Sequence, residues 1–171
     1  QQLQAAQLFP YDLEVDPQNH PALHPFNTEE EFIEKTIKCL HKVDPMFADS
    51  LSIMNEMHHL DLSSRKGKAP GGYNMTLPET GVPFVFMNAA GTQRDLETIV
   101  HEAGHAVHSF LMRTLPYNFD MEISSEMAEL ASMSMEFLSI EGWDVFYSDD
   151  DKKRAVESHL EGTITMLPWI A

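Results

Sequence analysis

Apolar positions recur along this chain with helical spacing over most of its length and with strand spacing in one short stretch. Ile33, Ile37 and Leu40 fall four and three residues apart, and Phe32 and Cys39 widen the same stripe. Ahead of them, Asn27-Thr28-Glu29-Glu30-Glu31 offers a capping side chain and acids suited to the positive end of a helix dipole, so a helix is expected to start there. A second helix is predicted from Pro45 to Leu60, burying Phe47, Leu51, Met54 and Met57. The run Val82-Pro83-Phe84-Val85-Phe86-Met87-Asn88 is strand-like, and Pro83 suits the beginning of a strand or an edge. It lies in a Gly-, Pro- and Lys-rich region, 63–91, where Gly71-Gly72 allows a tight turn back towards it. Together these predict a small antiparallel sheet. Helical pattern returns from Thr92 or Asp95 to Met112, again over Glu122 to Leu138, and finally from Asp149 onward. The fold class is therefore mainly α (α+β), a helical core with a small sheet, in one domain over 1–171.

Two segments lack that order. Residues 1–27 carry Pro10, Pro17, Pro21 and Pro25, which exclude a long helix and predict an extended lead-in. The last residues, Leu167-Pro168-Trp169-Ile170-Ala171, are large and apolar and expect a burying partner.

Composition narrows the classes of function. The formal net charge of -16 disfavours nucleic acid and anionic membrane surfaces as partners. No apolar run approaches the ~18 residues that span a bilayer, and the first residues are neither basic nor continuously apolar as a secretion signal would be. The single cysteine, Cys39, cannot form an internal disulfide; it reads as a small buried residue and favours a reducing, cytoplasmic setting.

Chemistry concentrates in Ile99-Val100-His101-Glu102-Ala103-Gly104-His105-Ala106-Val107-His108. Histidines four apart on a helix project from one face and can reach a single metal ion, while Glu102 on the adjoining face can touch a water beside it. In a chain with 9 histidines the spacing arises by chance with a probability of about 0.04, so context must support it. A catalytic zinc takes three protein ligands and one open position. A third histidine ten residues after His101 is excluded by Leu111, which leaves Glu122, Glu126, Glu129 and Glu136 as candidates that spacing does not separate. His108, seven residues from His101, is expected to pack rather than ligate; Glu136 could orient a ligand histidine or lie on the surface. His58 and His59, being adjacent, cannot chelate together, and His20 and His24 carry no signal.

The sequence resembles the oligoendopeptidase F and thimet oligopeptidase family of zinc metallopeptidases over most of its length. The family's H-E-x-G-H-x-x-H helix is matched by His101, Glu102, Gly104, His105 and His108, and its E-x-x-S-x-x-x-E pattern by Glu129, Ser132 and Glu136. The stretches Arg65-Lys66-Gly67-Lys68, Gly71-Gly72-Tyr73 and Pro83 to Asn88 look like the strands preceding the family's active-site helix. The resemblance implies a zincin-like core holding one Zn2+ through His101, His105 and Glu129. It also implies hydrolysis of oligopeptides by metal-activated water with Glu102 as general base. An extended peptide is expected to add to the edge of the strand Phe84 to Asn88. Family members are several times longer and carry a later histidine and tyrosines that stabilise the oxyanion. Those motifs are missing here, so the chain is expected to be a weakly active fragment whose exposed apolar surface the rest of the parent peptidase covers.

Two alternatives compete. A di-metal carboxylate bundle would pair Glu102-x-x-His105 with Glu56-x-x-His59 but leaves His101 without a role. A non-catalytic helical scaffold gives no reason for an intact Glu102.

Overall fold

The computed structural model describes Phe9, Asp16 and residues 19–170. The expected lead-in therefore lies mostly outside the described residues, as do the side chains of 167–171. Residues 19–26 are without regular structure.

Helix α1 (Glu29–Val43) begins at Thr28, whose hydroxyl accepts the Glu31 amide at 3.2 Å. Asp44 ends α1 and caps α2 (Pro45–Glu56), accepting the Met46 amide at 2.8 Å with Pro45 in the first turn. Phe32, Cys39 and Leu40 of α1 and Leu51 and Met54 of α2 are fully or nearly fully buried. Each large side chain so buried contributes roughly 1.5–3 kcal/mol. The second helix is shorter than its apolar pattern indicates. His58 takes a left-handed φ of 57°, which turns the chain out of the helix, and Met57 is exposed rather than buried.

That turn leads into β1 (Leu60–Ser63), a strand absent from the sequence expectation. With β2 (Tyr73–Leu77) and β3 (Val82–Ala89) it forms a three-stranded sheet in the order β1-β3-β2. β2 pairs antiparallel with β3, from Tyr73 opposite Phe86 to Leu77 opposite Val82, whereas β1 runs parallel to β3. The sheet is thus small as expected but mixed rather than purely antiparallel. Gly71, at a φ of 98°, makes the turn into β2. The Arg65–Lys68 stretch is loop and not strand: Lys68 curls back, its ammonium donating to the Asp61 and Ser63 carbonyls at 2.9 and 2.8 Å.

Strand β3 is central, which corrects the expectation that its edge receives a peptide; both of its edges are already paired. Pro83 is tolerated there for a local reason. Val85 donates to the His59 carbonyl at 2.9 Å, so the nitrogen of Pro83, two residues earlier, faces the same side just before β1 pairing begins. Among the described residues the two outer strands, β1 and β2, each leave one edge of the sheet unpaired.

Helix α3 (Gln93–Met112) packs on β3 and β2 and against α4 (Ser125–Ser139). Its inner face, Leu96, Ile99, Val100, Ala103 and Ala106, is essentially inaccessible. Short 3-10 turns at Asn118–Met121 and Ile140–Val145 flank α4, and α5 (Asp149–Ile170) follows. Trp143 is fully buried, and Gly142 lies against Cys39, whose thiol, pushed up to about 12 by burial, donates to the Ser139 carbonyl. Opposite α3, the outer side of α4 leaves Met127, Leu130 and Leu138 more than half exposed. No described helix is long and apolar enough to cross a membrane.

Candidate metal centre

Helix α3 starts at a reciprocal cap. The Thr92 hydroxyl accepts the Asp95 amide, and the buried Asp95 carboxylate accepts the Thr92 amide at 2.7 Å and the Ala90 amide at 2.9 Å. This fixes where the helix leaves β3, and hence which turn carries His101 and His105. Two contacts tie β2 across the same helix: Asn74 donates to the Glu102 carbonyl at 3.2 Å, and Thr76 donates to the Ser109 hydroxyl at 2.8 Å.

Gly104 sets the distance to α4. A Cβ built on it would lie 2.6 Å from the Ser132 Cα and 2.9 Å from the Ala131 carbonyl oxygen, so the two helices meet backbone to backbone at this point. One turn before Ser132, Glu129 consequently reaches over the histidines.

Ligand atoms of His101, His105 and Glu129 all lie within 4.8 Å of one another, and this is the one such group among the described residues. The Nε2 of His101 is 3.2 Å from Glu129 Oε2, and the Nε2 of His105 is 3.9 Å from Glu129 Oε1. The two imidazoles stand edge to face, with centroids 5.0 Å apart. On its far side, the Nδ1 of His101 lies 2.6 Å from Glu136 Oε1. A carboxylate there accepts a hydrogen bond from Nδ1–H and so favours, in the neutral ring, the tautomer whose Nε2 lone pair is free for a metal.

Burial and neighbouring charge divide the titrating groups. Burial alone would lower His101, but the carboxylates of Glu136, Glu102 and Glu129 outweigh it and raise its pKa. Burial and the charge of His101 lower that of His105. Glu102, 6% exposed, is pushed up to about 7 by burial, with Glu129 adding to the rise and His101 opposing it. Its Oε2 has no hydrogen-bond partner among the described residues. Two imidazoles, one carboxylate and an adjacent buried carboxylate oxygen in want of a partner suit a tetrahedral zinc with an open position for water.

Cavities of about 380 and 470 Å³ flank the group, and Gly72, His101 and Glu102 line both. A side chain on Gly72 would meet Thr98, the Phe86 carbonyl and Glu102, so a glycine there leaves space between the two cavities that it lines. Residue type indicates only a turn at this glycine, and the family resemblance only a strand that precedes the active-site helix.

The other candidates lie elsewhere. Glu122 precedes α4 and Glu126 sits in its first turn; both are exposed and outside the group. His108 is half-buried, and its Nδ1 lacks a partner among the described residues, apart from the ligand cluster. His59 donates from Nδ1 to the Pro83 carbonyl, 3.0 Å away, and Glu56 is exposed at the end of α2, so the pair required for a di-metal bundle does not form. His24 contacts the Gly91 carbonyl at 3.1 Å.

Comparison with known proteins finds peptidases among those similar to this chain. The chain is 34% identical over 112 residues to oligopeptidase PepF of Bacillus subtilis (strain 168), and 34% identical over 125 residues to the chromosomal oligoendopeptidase F of Lactococcus lactis subsp. cremoris. These alignments cover 65% and 72% of this chain but 16% and 20% of those relatives. The solved structure of PZ peptidase A with inhibitor 2 superposes with a TM-score of 0.88 at 30% identity, covering 98% of this chain and 30% of that one. The model of peptidase family M3 matches residues 1–167, and the chain belongs to that family.

Proposed function

We propose that the chain carries the zinc site of a metallopeptidase acting on oligopeptides, with His101, His105 and Glu129 as ligands and Glu102 as general base. The observation that carries this reading is the convergence of those three side chains beside a buried carboxylate that lacks a partner. A zinc ion bound there supplies Lewis acidity, lowering the pKa of water from about 15.7 towards ~7 and polarising a carbonyl oxygen. Glu102 accepts the proton of the attacking water and delivers it to the leaving amine, its buried Oε2 having no other partner among the described residues. Glu136 holds the ring of His101 in the ligating tautomer.

The peptide lies extended along the groove formed by the two cavities and pairs main chain to main chain with β2, whose outer edge is unpaired among the described residues. Backbone pairing of this kind accepts varied side chains. The relatives are several times longer than this chain, and the exposed Met127, Leu130 and Leu138 of α4 are the surface that the remainder of such a peptidase would cover.

Elemental analysis of the purified chain tests the metal, with one zinc per chain expected. Hydrolysis of an internally quenched peptide, by this chain and its Glu102→Gln variant, tests the base. Weak, Glu102-dependent turnover is expected, since missing oxyanion donors cost roughly 10²–10³-fold. Absence of stoichiometric zinc, or equal turnover by the variant, would remove the reading.

A further inference from the structure

A third histidine stands behind the centre. His159 on α5 is 6% exposed, three turns before the end of that helix, and shares an inward face with the fully buried Ala155. The rings of Trp143 and Phe137 pack against it, with centroids 5.6 and 5.2 Å away. Both ring nitrogens face carboxylates: Nδ1 lies 3.7 Å from Glu97 Oε1, and Nε2 lies 3.7 Å from Glu136 Oε2. These distances are longer than hydrogen bonds and within ion-pair range.

The two carboxylates differ in how they are held. Glu97, one turn before His101 on α3, is fixed by its own helix, accepting from Gln93 at 3.1 Å and from Arg94 at 3.4 Å. Glu136 has its Oε1 on His101, while its Oε2 faces His159 alone among the hydrogen bonds and ion pairs of the described residues. A purely apolar ring in this aromatic-walled position would leave that half-buried oxygen with no polar group facing it, which is costly. The chain Glu97, His159, Glu136, His101 therefore runs from one turn of α3 out to α5, back through α4, and onto the next turn of α3.

We infer that His159 is a positioning residue for the metal centre: by bridging Glu97 and Glu136 it holds the Glu136 carboxylate in the orientation that fixes the His101 ring. The inference rests on the zinc reading above and adds a residue that contacts neither the ligand cluster nor the two cavities beside it. A residue acting only through Glu136 has a signature that simple core packing lacks, because its effect disappears once Glu136 is gone.

The test is zinc affinity of the chain, measured by competition with a chromophoric chelator, in a double-mutant cycle of His159→Phe and Glu136→Ala. Circular dichroism reports whether each variant is folded. His159→Phe is expected to weaken zinc binding by about tenfold or more in the parent, and by less than about threefold in the Glu136→Ala background. His159→Gln, which keeps one donor for Glu136, is expected to recover part of the loss. Should the phenylalanine variant not fold, His159→Ala is taken through the same two backgrounds and judged by the same pattern. Zinc affinity unchanged by the His159 substitution, or lowered equally in both backgrounds, overturns the inference while leaving the metal site intact. A parent chain that takes up no zinc removes the metal reading and this inference with it.

Discussion

The Nδ1 of His101 and the Oε1 of Glu136 are 2.6 Å apart, although they come from different helices 35 residues apart in sequence. That contact decides which nitrogen of His101 is available, and Glu136 is half-buried, so water competes poorly for it. Glu136→Ala is expected to leave the fold intact and to weaken zinc binding about 10–100-fold. Chelator competition measures this, and an affinity equal to the parent's would contradict the role assigned to Glu136.

The third ligand is separable from its neighbours by the same assay. Glu129 carries the oxygens facing both histidines, whereas Glu122 and Glu126 lie outside the cluster. Glu129→Ala is expected to abolish stoichiometric zinc, and Glu122→Ala and Glu126→Ala to retain it. Loss of zinc in either of the latter would relocate the ligand.

Much of this arrangement could be read from spacing, and the reasons for the exceptions are local. The stripes of α1 and α3 repeat over several turns, and the histidines at 101 and 105 sit on the same helix as one of them. Strand β1 has only four residues, Leu60 to Ser63, and follows the methionine pattern of α2 without a glycine or proline to mark the break. His58 makes that break by taking a left-handed conformation, which its residue type does not announce. The central place of β3 depends on β1 pairing two residues beyond Pro83, a tertiary fact that the proline alone contradicts. His159 has no spaced partner on α5 at all; its meaning comes from carboxylates on α3 and α4.

Gly104 allows two effects to be weighed against each other. Alanine improves helix propensity by about 1 kcal/mol over glycine. Its methyl would sit 2.6 Å from the Ser132 Cα, and backbone cannot move aside as a flexible side chain would. Overpacking costs about 1–3 kcal/mol, so a net loss of stability in urea unfolding is expected for Gly104→Ala. Zinc affinity should fall as well, because separating α3 from α4 carries Glu129 away from His101 and His105. A variant more stable than the parent would show that the helices are free to part.

Glu102→Gln separates catalysis from stability, and pH gives the sign. In the metal-free folded chain the Glu102 pKa is pushed up to about 7 from an ordinary 4.5, chiefly by burial, so the folded state retains a proton that the unfolded state releases over that interval. Stability contributed by this residue is therefore fully present below about pH 4.5 and is lost as pH rises through about 7. Above that the charged carboxylate is a constant burden of about 1–3 kcal/mol, allowing for the water that reaches the groove. Glutamine carries no such charge. With a chelator present, Glu102→Gln should unfold at higher urea than the parent at pH 8, and the two curves should converge near pH 4. The same substitution should retain zinc, since Glu102 is not among the three clustered ligands, and should abolish peptide hydrolysis. A variant less stable than the parent at pH 8 would mean that the Glu102 carboxylate is held by favourable contacts, not strained by burial.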